Sequence, residues 1–401
     1  MAASKIRQLS LAKTTSQSLL SLVFGLGDII AGVIIAVSLS IFPHKHWIIA
    51  LYPGVLSMRG VIGGLLSGKL STGLHLGTIK TSLSGGKNKH LLLLLSSSSV
   101  VTFTSSILLG SIASIFAAFF GGIDVLTGLI IFSTLLATMG ISLLVISPIT
   151  IGVAFYSAKK GYDPDITIYP IVSTIADILV TLCYVLVLAL SLRSGISQFL
   201  IFFFGLAFAV VVVVILFKNR KENELLQIIK EALITLILVA FIVNITGSLL
   251  SQMSGVLRSR PEIYVVYPAL LNTIGGFGAI VGSTATTKLA LGTMTSFRSI
   301  KHHKSQIFGA WLASAAIFLI ISVISLPFQS PINFIQALKS VGVLLATNTL
   351  ATASMVFISI TVAVLTFQKG LDPDNFVIPI ESSLADILTT ISLVIMLSLA
   401  G

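Results

Sequence analysis

Four acidic residues lie in stretches apolar enough to cross a membrane: Asp28, Asp177, Glu381 and Asp386. A carboxylate at the centre of a bilayer costs about 2.5–3.5 kcal/mol on insertion scales, so each of them needs a partner or a function. Asp177 follows Asp165 by twelve positions, which is about 18 Å along a helix. This spacing predicts that Asp177 lies close to the middle of the membrane.

The sequence around these residues is an internal duplication. The motif Gly161-Tyr162-Asp163-Pro164-Asp165 recurs 209 positions later as Gly370-Leu371-Asp372-Pro373-Asp374. A second block, residues 52–77, begins with Tyr-Pro and recurs 215 positions later as residues 267–292. Two collinear blocks with nearly the same shift indicate two homologous halves.

The shift of 209 makes Asp386 the counterpart of Asp177. Each aspartate has two hydroxyl side chains three and four positions before it, on the same face of a helix. These four residues are Ser173, Thr174, Ser382 and Ser383. No basic residue occupies this depth in the same two spans, and two facing carboxylates repel unless one takes up a proton or a cation lies between them. Oxygen ligands suit a hard cation, so we predict a Mg²⁺ site; a protonated pair that joins the halves stays as the structural alternative.

The other two intramembrane carboxylates are not duplicated. Val172 occupies the position equivalent to Glu381, and Val243 the position equivalent to Asp28. Glu381 is interpreted either as an accessory group of the path or as the partner of another polar side chain. For Asp28, a functional role and a structural role both stay open.

The composition requires that a bilayer surround most of this chain. Of its 401 residues, 55% are hydrophobic and 9% are charged, with a mean hydropathy of +1.08. This is too little charge for a soluble protein, so we predict an all-α polytopic membrane protein. Hydropathy places eleven spans roughly at 16–42, 47–76, 91–119, 124–157, 166–191, 198–217, 231–256, 262–293, 305–327, 335–367 and 375–399. The single cysteine, Cys183, excludes an intrachain disulfide and a thiolate metal site.

The net charge of +11 is explained by topology. With the N-terminus in the cytoplasm, sixteen basic residues fall on the inner segments and five on the outer ones. This is the positive-inside pattern of a multi-pass protein of the cell membrane. The charge therefore indicates contact with the lipid bilayer, and we expect no nucleic-acid partner.

Three segments follow from the repeat. We predict a first five-span repeat over residues 1–195, a linking span and cytoplasmic connector over 196–230, and a second five-span repeat over 231–401. Because each repeat has an odd number of spans, the linking span allows both to insert with the same orientation, related by a pseudo-two-fold axis along the membrane normal. This pseudo-dimer lies within one chain, so a monomer would be sufficient.

The second and eighth spans are rich in glycine. Such a pattern is typical of closely packed helices, and it also permits interrupted helices whose free carbonyls line a path. The second span carries Arg59, for which three roles stay open: binding such carbonyls, binding a lipid phosphate, or repelling cations at a gate.

These motifs resemble the MgtE-type magnesium transporters and the related solute carrier family 41. The resemblance rests on the Tyr-Pro and glycine pattern of the second and eighth spans, and on Asp-Pro followed by Pro-x-x-Ser-[Ser/Thr]-x-x-Asp. It implies divalent cation transport, with Asp177 and Asp386 as the aspartates of a central magnesium site. Relatives usually have asparagine where this chain has Val61 and Gly276, which leaves the preferred ion open. Nothing in the sequence resembles the cytoplasmic magnesium-sensing domains of MgtE, so its gating is not implied.

Other functions were weighed against magnesium transport. The runner-up is a carrier for another divalent cation such as Mn²⁺, or an exchanger coupled to sodium or protons. A distant alternative is an intramembrane aspartyl protease, because Gly25-Leu26-Gly27-Asp28 and Pro268-Ala269-Leu270 are similar to parts of its motifs. The Tyr-Asp span that such a protease needs before its Gly-x-Gly-Asp span is missing, so we expect no enzymatic activity.

Overall fold

The computed structural model describes residues 11–42, 46–75, 77–80, 89–120, 125–160, 164–193, 195–252, 260–290, 304–329, 333–368 and 373–400. Within these ranges the chain forms α-helices with two short 3₁₀ turns and no strand. The helices are α1 (Leu11–Leu22), α2 (Asp28–Ile41), α3 (His46–His75), α4 (Lys89–Phe120), α5 (Val125–Lys160), α6 (Pro164–Ser191), α7 (Ile196–Lys218), α8 (Asn223–Gln252), α9 (Pro261–Ala290), α10 (Lys304–Ser325), α11 (Phe334–Gln368) and α12 (Pro373–Ala400).

The predicted fold class is confirmed. Eleven segments of the described chain are long and apolar enough to cross a membrane, as the hydropathy pattern predicts. The first of them consists of α1, the 3₁₀ turn Val23–Gly27 and α2, which together cover one span, Thr14–Ser38. The break within this span is a feature that hydropathy alone does not reveal.

The helices form two compact units whose boundaries differ from those of the predicted repeats. The first unit comprises residues 30–256, and the second comprises residues 1–29 with 257–401. In the first unit α8, with which the predicted second repeat begins, packs against α3 and α4. In the second unit α1 packs against α9 and α10. The leading helix of each predicted repeat thus packs against helices of the other predicted repeat.

A glycine allows the close approach of α8 in the first unit. A Cβ atom on Gly247 would overlap the backbone carbonyl oxygen of Ala50 on α3. Since backbone cannot move aside as a flexible side chain does, any larger residue at this position would force the two helices apart.

The glycine-rich helices α3 and α9 are continuous over their whole length. A Cβ atom at Gly54 of α3 would overlap Leu109, and one at Gly278 of α9 would overlap Met355. The structure therefore favours close packing over interrupted helices in both of these spans.

One hydrogen bond is repeated in the cores of the two units. The buried Tyr52 hydroxyl lies 3.0 Å from Thr181 Oγ1 in the first unit. Its counterpart Tyr267 lies 2.8 Å from Thr390 Oγ1 in the second unit. A buried tyrosine hydroxyl needs such a partner, so the duplicated tyrosines join α3 to α6 and α9 to α12 in the same way.

The beginning of α8 extends the predicted seventh span by eight residues, from 231 back to Asn223. This polar end is held against the start of α4 by the pair of Lys89 and Glu222, at 2.8 Å, and that of His90 and Glu224, at 3.0 Å. The connector is therefore partly helical, and its acidic residues lie beside a neighbouring helix.

Candidate cation site

Asp177 lies in the middle of α6. Its neighbours Ala176, Val180 and Tyr184 are buried in the first unit, and Asp177 itself is 7% exposed. The Tyr184 hydroxyl donates to Ile48 O at 2.8 Å, which fixes α6 against α3. The Asp177 carboxylate is therefore held at the contact between these two helices.

The positive charge beside the Asp177 carboxylate is the side chain of an arginine. Arg59, on α3, donates from Nη2 to Asp177 Oδ1 and forms a buried ion pair with it. Both side chains are about 10% exposed, so water screens the pair little. Removing one partner of a buried pair leaves the other charge uncompensated.

Sequence reasoning missed this pair because it sought a neutralising residue only in the spans that carry the aspartates. The roles considered for Arg59 were binding carbonyls, binding a phosphate and gating, and none of them named Asp177. The available signal was the rarity of arginine inside a span, since an intramembrane charge is expected to find an opposite charge.

Asp386 occupies the equivalent position on α12 in the second unit. It is also 7% exposed, and the Thr390 hydroxyl donates to its backbone carbonyl at 2.7 Å. Thr181 does the same for Asp177, also at 2.7 Å. The helical surroundings of the two aspartates are thus duplicated in detail.

The partner of Asp177 is not duplicated. The position equivalent to Arg59 at the shift of 215 is Ile274, an apolar residue that is fully buried in α9. The ion pair of the first unit therefore has no counterpart at this position of the second unit.

The four hydroxyl residues predicted beside the aspartates lie on the same helices as their carboxylates. Ser173, Thr174 and Ser382 are partly exposed, and Ser383 is buried. Each pair precedes its aspartate by three and four positions on a continuous helix, so it shares that helical face.

The two intramembrane carboxylates that are not duplicated are also buried, both in the second unit. Glu381, on α12, is 1% exposed, and its counterpart Val172 is an apolar core residue of the first unit. Asp28 is fully buried at the start of α2 and accepts a hydrogen bond from the Asn272 side-chain amide on α9. This hydrogen bond joins the residue that follows the 3₁₀ turn of the first span to α9. It gives Asp28 a structural partner.

A small cavity adjoins Arg59 in the first unit. Its volume is about 30 Å³, comparable with the space of one water molecule. The hydroxyl residues Thr102, Ser142 and Ser147 contribute to its wall, from α4 and α5. Among the side chains that the structure describes, none accepts from or donates to Ser147 Oγ. The surface of the cavity is nevertheless almost entirely apolar, with side chains such as Ile62, Leu66 and Met139 in its wall.

The described residues contain no cluster of three or more histidine, cysteine, aspartate or glutamate side chains able to hold a metal. A transition-metal centre of that kind would need such a cluster. Mg²⁺ binds through one or two carboxylates and keeps several of its waters. The arrangement of single carboxylates with hydroxyl neighbours suits such a hydrated cation.

Comparison with known proteins agrees with this chemistry. The family model of MgtE, described as a divalent cation transporter, matches the chain twice, over residues 52–187 and 267–396. The chain therefore belongs to the MgtE family of divalent cation transporters, and the predicted resemblance is confirmed.

The curated relatives belong to one branch of transporters. Solute carrier family 41 member 2 of Xenopus laevis is 25% identical over 403 residues, covering 93% of this chain and 69% of the relative. The proteins of the same name from Mus musculus and Homo sapiens are each 24% identical, covering 92% of this chain and 67% of theirs. No solved structure gives a significant match.

Proposed function

We propose that this protein transports Mg²⁺ across the cell membrane, with its N-terminus in the cytoplasm, and that it has no enzymatic activity. The observation that carries the proposal is one buried aspartate per repeat, at equivalent positions of α6 and α12, in a chain of the MgtE family. The repeats comprise residues 1–195 and 231–401, and 196–230 links them. Since both repeats lie in one chain, a monomer is sufficient for transport.

The cargo is bound by Asp177 and Asp386 as a largely hydrated ion. Ser173, Thr174, Ser382 and Ser383 support it directly or through its waters. Two carboxylates balance the charge of a divalent cation, and the retained waters make up the octahedral shell that Mg²⁺ requires.

Arg59 defines the metal-free state of the proposed cation path, in which it is the partner of Asp177. Its guanidinium holds the Asp177 carboxylate when no metal is bound, so a cation must displace it in order to bind there. At a separation of 4 Å and an effective dielectric constant of 20, a pair of unit charges is worth about 4 kcal/mol, and a divalent ion gains about twice as much.

The runner-up is a carrier of another divalent cation such as Mn²⁺, or an exchanger coupled to sodium or protons. Val61 and Gly276 favour keeping this alternative, because they replace the asparagines usual in relatives. Flux of Mg²⁺ and Mn²⁺ into liposomes that hold the purified protein, under imposed sodium and proton gradients, separates these cases.

The decisive variant is Asp386→Asn. It removes the carboxylate charge and preserves the shape of the side chain, so we expect Mg²⁺ flux to fall at least about 100-fold, consistent with the charge interaction lost. Glu222→Gln, at the ion pair with Lys89 outside the predicted spans, is the matched control and should keep full flux. Wild-type flux in Asp386→Asn, with normal folding by gel filtration, would refute the proposed site.

A further inference from the structure

The Glu381 side chain is a buried carboxylate that the transport path described above does not use. It lies on α12 five residues before Asp386, about 7.5 Å nearer the start of that helix. Glu381 is 1% exposed, so its carboxylate is removed from bulk water. A group of this kind is expensive to keep in a membrane protein unless its charge is balanced.

The groups around this carboxylate come from two other helices of the second unit. Gly282 of α9 lies directly against it, since a Cβ atom there would overlap both carboxylate oxygens. One turn before Gly282 on α9, Gly278 O accepts a hydrogen bond from the Ser359 hydroxyl of α11 at 3.4 Å. The Glu381 carboxylate and the Ser359 hydroxyl are both oxygen ligands of the kind that a hard cation takes.

No cationic side chain within the described chain forms an ion pair with Glu381, and neither of its oxygens has a hydrogen-bond partner there. Glu262 provides a contrast in the same unit. It is also almost fully buried, but Arg260 Nε lies 3.4 Å from its carboxylate. One buried glutamate of the second unit is therefore balanced by the protein, and the other is not.

We propose that Glu381 is a second cation-binding residue, at which the divalent cargo stops on its way to or from Asp386. This inference rests on the proposed transport function and adds a site to it. In the first unit Arg59 already balances Asp177, whereas the second unit has Ile274 at that position and Glu381 in addition to Asp386. Glu381 and Asp386 are five positions apart on α12, so their side chains leave the helix about 140° apart and would hold separate ions.

Gly282 contributes by leaving room for the carboxylate beside α9. The contact is with the flexible end of a glutamate, so a methyl group at 282 would push the carboxylate away without moving either helix. Gly282→Ala therefore changes the position of the charge, and Glu381→Gln removes the charge at nearly constant shape.

Isothermal titration of the purified full-length protein with MgCl₂ tests the proposal. We expect about two Mg²⁺ ions per chain for the wild type and about one for Glu381→Gln. Gly282→Ala should weaken the second ion about tenfold or more. Glu262→Gln is the matched control, because it alters a buried glutamate that already has a partner, and it should retain both ions.

The outcomes separate the two proposals. If Glu381→Gln binds as many ions as the wild type with the same affinity, Glu381 is a neutral buried acid and the second site is wrong. If Glu381→Gln loses one ion while Asp386→Asn keeps normal flux, the second site stands and the path through Asp386 is wrong. A wild-type protein that binds no Mg²⁺ overturns both.

Discussion

The two units differ at the position that Arg59 occupies beside its aspartate. In the first unit Arg59 and Asp177 form an ion pair, so the charges of these two side chains balance each other. In the second unit the equivalent position is Ile274, and a second buried carboxylate, Glu381, lies on the helix that carries Asp386. The duplication has preserved the helices and their hydrogen bonds, while the residue at the position of Arg59 has diverged. The comparison teaches that equivalent residues of a fused repeat need not have equivalent roles.

The strongest way to test this comparison is to place an arginine at the position of the second unit that is equivalent to Arg59. Ile274→Arg should place a guanidinium on α9 where Arg59 stands on α3, and it should lower Mg²⁺ flux at least about tenfold by competing for Asp386. Flux into liposomes measures the effect. Ile274→Met, which preserves volume and hydrophobicity, is the control and should transport normally. Unchanged flux in a folded Ile274→Arg protein would mean that the residue equivalent to Arg59 has no influence on the second aspartate.

The stability of the first unit depends on the ion pair of Arg59 with Asp177. Asp177→Asn leaves Arg59 buried without its counter-charge and should cost about 3–5 kcal/mol, measured as a lower midpoint in thermal unfolding. The double variant Arg59→Gln with Asp177→Asn should recover most of this loss, because no uncompensated charge is left. Equal stability of the single and double variants would contradict a direct ion pair.

The smallest expected change in stability concerns the tyrosine–threonine hydrogen bond that both units contain. Tyr52→Phe and Tyr267→Phe each remove one hydroxyl that hydrogen-bonds a threonine, so each should destabilise the protein by about 1 kcal/mol. Thermal unfolding of both variants should give similar shifts. A clearly larger loss in one of them would show that the cores have diverged as far as the charges have.

The architecture could be predicted from the sequence because its signals are long and repetitive. Eleven apolar stretches, two Tyr-Pro blocks and two Asp-Pro-Asp turns identify the helices and the duplication without any tertiary information. The helix positions of Asp177 and Asp386 also followed from spacing alone, because a continuous helix fixes the rise and the face.

The packing partners could not be predicted in this way. Arg59 and Asp177 are 118 positions apart on different helices, and no local pattern says which faces of α3 and α6 meet. The 3₁₀ turn at Val23–Gly27 could not be predicted from hydropathy, because hydropathy is averaged over a window longer than this turn. The sequence shows that Glu381 has no acidic counterpart in the first repeat. Which side chains surround its carboxylate depends on three-dimensional packing, which the sequence does not give.

The exchange of leading helices has a consequence for biosynthesis. The segment α1 is synthesised before its packing partners α9 and α10, which begin at Pro261 and Lys304. At about 5–20 residues per second, roughly 250 residues of further synthesis take about 12–50 s. During that interval the span that contains α1 is surrounded by lipid or by the insertion machinery, because the helices against which it packs do not yet exist.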